Sequence, residues 1–196
     1  EDEIKIIDAT NKVVLPGLIN THSHIPMSIF RETVDGLQTQ DWLSKKIWPA
    51  EEKMTDEDLL KSCRLSFLEM VESGTCGCID MYDVPETITA ALDIGIRLQT
   101  SRVCFGNFDN SERRKEQRML TNGNLDSRIT INQNIHGIYT TSDENIREAV
   151  VLARENNLTL NMHFCENEEE RKMKELDEQM KLYSLIDKIF YHLNLT

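Results

Sequence analysis

The sequence predicts an α/β fold built on a parallel sheet, either a (β/α) barrel or an open sheet flanked by helices. Three observations predict it. Short β-branched runs alternate with stretches of helical periodicity, and strands joined through helices run parallel. The 196 residues, 39% hydrophobic and 29% charged, suit one globular domain. Each of the five histidines falls at or just past the C-terminal end of a predicted strand. Folds of this kind build their sites at that end.

The elements follow in order. Glu3 to Val14 alternates apolar and polar residues and reads as edge strands with a turn at Thr10-Asn11. Pro16-Gly17 then turns into Leu18-Ile19-Asn20-Thr21-His22-Ser23-His24. In a strand the side chains alternate, so His22 and His24 share a face and could share a metal ion. Ile25 to Pro49, with Trp42 and Trp48, follows this strand end and is placed to cover whatever the histidines bind. Thr55 caps a helix with three acids in its first turn, an apolar stripe through Cys63 and Phe67, and Gly74 at its end. Thr75 to Met81 is a second strand, Pro85 to Leu92 a helix closed by Gly95, and Ile96 to Phe105 a third strand. A polar loop over Gly106 to Ser127 carries a short helix near Glu112 to Leu120. Ile129 to Ile135 is a fourth strand ending at His136. Ser142 caps a helix to about Asn156, with Ile146, Ala149, Val150 and Ala153 buried. Leu158 to Met162 is a fifth strand ending at His163. A charged helix from Glu166 to about Lys181 and a sixth strand, Ile186 to Tyr191, ending at His192, complete the reading.

A net charge of −12 argues against nucleic acid or an anionic membrane as a partner. No apolar run approaches the roughly 20 residues that span a bilayer. No signal peptide is visible, and Glu1 rather than Met points to a start inside a longer protein. Cys63, Cys76, Cys78, Cys104 and Cys165 form no CxxC pair; they read as reduced, mostly buried thiols of a cytoplasmic protein.

Val14-Leu15-Pro16-Gly17-Leu18-Ile19-Asn20-Thr21-His22-Ser23-His24 resembles the first-strand P-G-x-I-x-x-H-x-H signature of the amidohydrolase superfamily. Within it the chain most resembles the methylthioadenosine/S-adenosylhomocysteine deaminases and their guanine deaminase and triazine hydrolase relatives. Three further segments carry the resemblance. They are Asp41-Trp42-Leu43 with Ile47-Trp48-Pro49 and Glu51, then His136 to Ser142 against H-x-P-Y-T-x-S, and Asn161 to Glu166 against H-x-H-x-x-E. Three departures stand out: Ile138 where a proline is usual after His136, Asn134 in place of a usual proline before it, and Asn161 in place of the first histidine.

The resemblance implies a (β/α)8 barrel of the metal-dependent hydrolase type. About five to six of its eight strands fit here, because such a barrel typically needs about 250 residues. Residues 1–14 are then a remnant of a flanking β-domain and 15–196 an incomplete barrel domain. It implies metal ligands at His22, His24 and His163, with the family's fourth ligand, an eighth-strand aspartate, lying outside this chain. It implies proton transfer by Glu166 and a hydrogen bond from His192 to the nucleophile. It implies substrate contacts by His136, Trp42, Glu51 and Arg102. The residues alone allow blander readings: Glu166 as a helix N-terminal acid, Trp42 as a core anchor, and Arg102 as an ion-pair partner.

The expected function is hydrolytic deamination of an adenine nucleoside by one divalent metal ion, zinc first, with iron or manganese as alternatives. Guanine or a chlorotriazine is the alternative substrate. The alternative function is a non-catalytic, truncated module of the same fold, for which the absent fourth ligand speaks. An uncovered last strand and apolar interior predict a homo-oligomer. Cytidine-type zinc deaminases need H-x-E with P-C-x-x-C, and zincins need H-E-x-x-H; the sequence has neither pair of signatures.

Overall fold

The computed structural model describes residues 4, 6–33, 36–82, 85–164, 166 and 170. Its strands are β1 (Leu18–Ser23), β2 (Thr75–Asp80), β3 (Arg97–Thr100), β4 (Val103–Cys104), β5 (Ile129–Ile131), β6 (Gln133–Ile135) and β7 (Leu160–Met162). Every pairing is parallel. The first sheet has the order β1-β2-β3-β5 and the second β4-β6-β7. The third and fourth expected strands therefore each divide in two, at Ser101-Arg102 and at Asn132. The barrel wall is interrupted where its strands pass from one set of neighbours to the next.

Buried backbone groups at such a break need partners from elsewhere. Gln117, 1% exposed, supplies two of them. Its Oε1 accepts from the Arg102 N–H at 2.9 Å, and its Nε2 donates to the Asn132 carbonyl at 2.7 Å. The Ser101 hydroxyl accepts from the Asn134 N–H at 2.8 Å. Gln117 sits on the helix expected in the polar loop, which runs Ser111–Asn122, so this helix splints both interrupted strands.

The remaining helices are α1 (Thr39–Trp42), α2 (Trp48–Glu51), α3 (Asp56–Glu72), α4 (Pro85–Ile94), α5 (the splint) and α6 (Asp143–Glu155). A 3-10 helix, Ile25–Phe30, follows β1, and a π-helical turn, Leu43–Ile47, joins α1 to α2. The Thr55 hydroxyl accepts from the Asp58 N–H while the Asp58 carboxylate accepts from the Thr55 N–H, a reciprocal capping box. Ser142 caps α6 through the Asn145 N–H. Phe67 and Cys63 of α3 pack with Ala90 and Ala91 of α4 on Leu98 and Ile129 of the first sheet. Ile146 and Val150 of α6 pack on Cys104 and Ile135 of the second.

One expectation needs correction. Residues 4 and 6–14 form no strand; only the turn at Thr10-Asn11 is present. Ile4, Ile6, Val13 and Val14 are more than four-fifths exposed, and two short runs with no sheet beneath them lack the buried face that stabilises a ribbon. Cys76 is exposed, whereas Cys63, Cys78 and Cys104 are buried free thiols. The Glu166–Lys181 helix, the sixth strand, Cys165 and His192 lie outside the described residues as elements or side chains.

Candidate metal centre and substrate cavity

The C-terminal ends of β1, β6 and β7 converge. His22 lies in β1, His24 just past it, His136 just past β6 and His163 just past β7. The Nε2 atom of His163 stands 3.1 Å from that of His22 and 3.0 Å from that of His24. These three are the one group among the described residues whose His, Cys, Asp or Glu side chains could hold a metal ion.

The tautomers follow from the partners. His24 Nδ1 lies 3.0 Å from the Met81 carbonyl and His163 Nδ1 2.7 Å from the His136 carbonyl. A carbonyl only accepts, so both rings carry their proton on Nδ1 and turn the Nε2 lone pair inward. Burial, followed by the neighbouring His163 and His22, pushes the His24 pKa down to about 4. Burial also lowers that of His163. Neutral imidazoles with lone pairs converging at hydrogen-bond distance repel one another unless a cation lies among them. The donor set fits a divalent metal of the zinc type.

The end of β2 fixes this cluster. The Met81 N–H donates to the Ser23 carbonyl at 2.7 Å, and Asp80 Oδ1 accepts from the Ile25 N–H at 2.8 Å, on either side of His24. Asp80 is fully buried, which pushes its pKa up to about 8.

Beside the histidines is a cavity of about 500 Å³. Trp42, Leu43, Ile47 and Trp48 cover it from the segment after β1, and His24, His136, His163 and Glu166 lie along its floor and rim. The His136 ring meets the Phe105 ring edge-on at 5.3 Å, and its Nδ1 lies 2.6 Å from the Thr140 hydroxyl. Burial, then His163 and His24, pushes the His136 pKa down to about 3. The Tyr139 hydroxyl donates to the Glu166 carboxylate, which holds that acid at the rim. Gly137 has no space for a side chain, because an added Cβ would lie 2.9 Å from the Tyr139 ring. Glu51 is turned into the cavity wall, where the Tyr82 hydroxyl donates to it at 2.5 Å and burial raises its pKa.

Arg102 is not brought here. Its Nε pairs with Glu116 of α5 at 2.8 Å, because it sits in the strand break facing the splint helix. The cation lining the cavity is Arg113, on α5, the one Arg or Lys among the described lining residues. Sequence reading missed Arg113 because helical phase, not a motif, turns it inward. Tyr82 and Tyr139 were equally unmarked as partners of the two acids.

Residues 13–187 match the model of the Amidohydrolase family. The chain belongs to the amidohydrolase family. It is 39% identical over 178 residues to a 5'-deoxyadenosine deaminase of Methanococcus maripaludis strain C5, covering 87% of this chain and 42% of that protein. It is 38% identical over 173 residues to a 5-methylthioadenosine/S-adenosylhomocysteine deaminase of Thermoanaerobacter pseudethanolicus, covering 85% and 40%. This amidohydrolase chain therefore spans less than half the length of these curated relatives. The crystal structure of an adenosine deaminase from Xanthomonas campestris with bound zinc has the same fold, with a TM-score of 0.72 at 23% identity over 89% of this chain and 42% of that one. Guanine deaminase of E. coli shares it too, with a TM-score of 0.66 at 22% identity over 92% and 45%. No helix among the described residues is long and apolar enough to cross a membrane.

Proposed function

We propose that this chain carries the metal and substrate half-site of a hydrolytic deaminase acting on an adenine nucleoside of the 5'-deoxyadenosine or methylthioadenosine type. The observation that supports it is the convergence of three histidine Nε2 atoms beside a cavity lined by His24, His163, Trp42, Trp48 and Glu166. Its relatives of 38–39% identity are named as such deaminases. His22, His24 and His163 would hold one divalent ion, zinc in our reading. When bound, such an ion supplies Lewis acidity that lowers the pKa of water from 15.7 to about 7.

The chain's own residues account for the rest. The indole faces of Trp42 and Trp48 offer apolar, π-rich surface to a purine. The Thr140 hydroxyl donates to the Gly137 carbonyl at 3.3 Å and accepts from His136 Nδ1, so His136 turns an accepting Nε2 to the cavity. Glu166, fixed by Tyr139, gives its proton to the ring nitrogen, takes one back from the attacking water, and passes that one to the departing ammonia. Glu51, held by Tyr82, takes hydrogen bonds from the ribose hydroxyls. His192 would hydrogen-bond the attacking water. Residues 1–14 form a flanking segment and 15–196 an incomplete barrel domain. Self-association is supported by β1, which pairs on one side alone among the described residues and leaves Leu18 and Ile19 more than half exposed; light scattering would read it as a mass above 22.7 kDa.

Both tryptophans of the chain line the cavity, so nucleoside binding should quench its fluorescence. The test combines zinc content, quenching by 5'-deoxyadenosine and ammonia release, on the parent chain and on Glu166→Gln. The parent should bind one zinc and the nucleoside. Glu166→Gln should keep both and lose about 10²–10⁴-fold of any turnover, the ordinary worth of a general acid–base group. A parent that binds neither zinc nor nucleoside would overturn the reading.

A further inference from the structure

We propose that Asn161 is a positioning residue for His22: it decides which ring nitrogen of His22 carries the proton. This inference rests on reading His22, His24 and His163 as one metal-holding set. It concerns how His22, which lacks the carbonyl partner of the other two, acquires the same tautomer.

The ordering starts at a main-chain carbonyl. The Asp80 carbonyl can only accept, and Asn134 Nδ2 lies 2.8 Å from it. Asn134 therefore turns its NH₂ to Asp80 and its Oδ1 the other way. That Oδ1 accepts from Asn132 Nδ2 at 2.9 Å and from Asn161 Nδ2 at 3.2 Å. With its NH₂ committed to Asn134, Asn161 presents Oδ1 to His22 Nδ1, 3.4 Å away. An amide oxygen has no proton to give, so the proton of neutral His22 belongs on Nδ1 and the lone pair on Nε2. That Nε2 is the atom 3.1 Å from His163 Nε2. Reversing the Asn134 amide would set its oxygen against the Asp80 carbonyl, and reversing Asn161 would set its oxygen against Asn134 Oδ1. Asn132 and Asn134 are fully buried, so no solvent relieves such a clash.

His22 is the exposed ring of the three, while His24 and His163 are partly buried. A neutral imidazole in water favours the proton on Nε2, the wrong nitrogen for this cluster. An exposed ring thus has most need of an outside group to fix it. The two asparagines are also two of the departures from the resembling pattern, which has a proline at 134 and a histidine at 161. They touch each other across 27 residues of chain. A proline at 134 could neither orient Asn161 nor donate its N–H to Ser101. The departures form a matched pair whose end point is a metal ligand.

The test uses the ¹⁵N-labelled, metal-free 196-residue chain at pH 7.5. Long-range ¹H–¹⁵N spectra of the imidazole rings report which nitrogen is protonated, and His22→Gln identifies the His22 signals. The parent should show His22 protonated on Nδ1. Asn161→Asp should keep that state, because a carboxylate also accepts. Asn161→Leu should move the proton toward Nε2 and weaken zinc binding, read against a chromophoric chelator, by about 10–100-fold. Asn161→Ser, too short to reach the ring, replaces the leucine variant should that one not fold. A parent with His22 protonated on Nε2, or a folded Asn161→Leu or Asn161→Ser chain with the proton still on Nδ1, would overturn the proposal. A purely structural asparagine predicts that last result. Failure of the parent to bind zinc would sink the metal reading, while the ring spectra would still decide the role of Asn161.

Discussion

The arginine expected at the substrate is Arg102, but the arginine at the cavity is Arg113. Arg102 is held by Glu116 on the outer side of the strand break, and Arg113 lines the cavity. Arg113→Ala should therefore weaken binding of S-adenosylhomocysteine, which carries a carboxylate on its tail, more than binding of 5'-deoxyadenosine, which has none. Arg102→Ala should change neither by more than about twofold, a difference below roughly 0.4 kcal/mol. Tryptophan quenching by the two nucleosides measures both, and an equal loss for both ligands in Arg113→Ala would contradict the assignment. At this scale the pattern of residues showed what depends on strand alternation alone. His22 and His24 share a face because the period is two, and their rings lie 5.1 Å apart. His163 was legible because it ends an apolar run. Asn134, Asn161, Tyr82 and Tyr139 were not legible as partners. Their contacts join distant segments, and an asparagine or tyrosine has no local signature of what it will meet.

The splint helix α5 makes a prediction at the scale of an element. Gln117→Leu preserves volume and helix propensity but leaves the Arg102 N–H and the Asn132 carbonyl without their partner. Each buried group so stranded costs about 1–3 kcal/mol. Urea unfolding should show a lower midpoint with an unchanged slope; stability within about 0.5 kcal/mol of the parent would show that the splint is dispensable. By contrast, the helix itself was readable from its composition, and so were its neighbours. Thr55, Ser142, Gly74 and Gly95 all stand where helix ends demand them, with φ of +85° at Gly74 and +88° at Gly95. The two strand breaks were hidden because β-rich sequence runs through both. Ser101 and Asn132 leave the ladder for tertiary reasons, the change of neighbouring strand, which no local propensity encodes.

For the molecule as a whole, the buried titratable groups set a stability optimum in pH. His24 and His136, held down to about 4 and 3 by burial, take up protons more readily once unfolded, where the ordinary value is 6.5. The unfolded state then binds more protons, so stability falls as pH drops from about 6.5 toward 4 and 3. Asp80 acts in the opposite sense. It stays protonated in the fold up to about 8 but ionises at about 3.8 when unfolded, so stability also falls as pH rises from about 4 to 8. Thermal melts of the metal-free chain should flatten on the alkaline side in Asp80→Asn, which keeps an oxygen for the Ile25 N–H. An unchanged alkaline slope would show that Asp80 is not its source. The division of the wall into two sheets has a consequence for cooperativity. His22 and His24 belong to the first sheet and His163 to the second, each sheet with its own apolar core. Two cores of this kind should open locally as separate units, which amide exchange would read as two protection levels. An ion shared by all three rings would bind the closed pair and neither opened half. It would then act as a clasp, merging two exchanging units into one and raising the protection of strands far from any ligand by the free energy of its own binding.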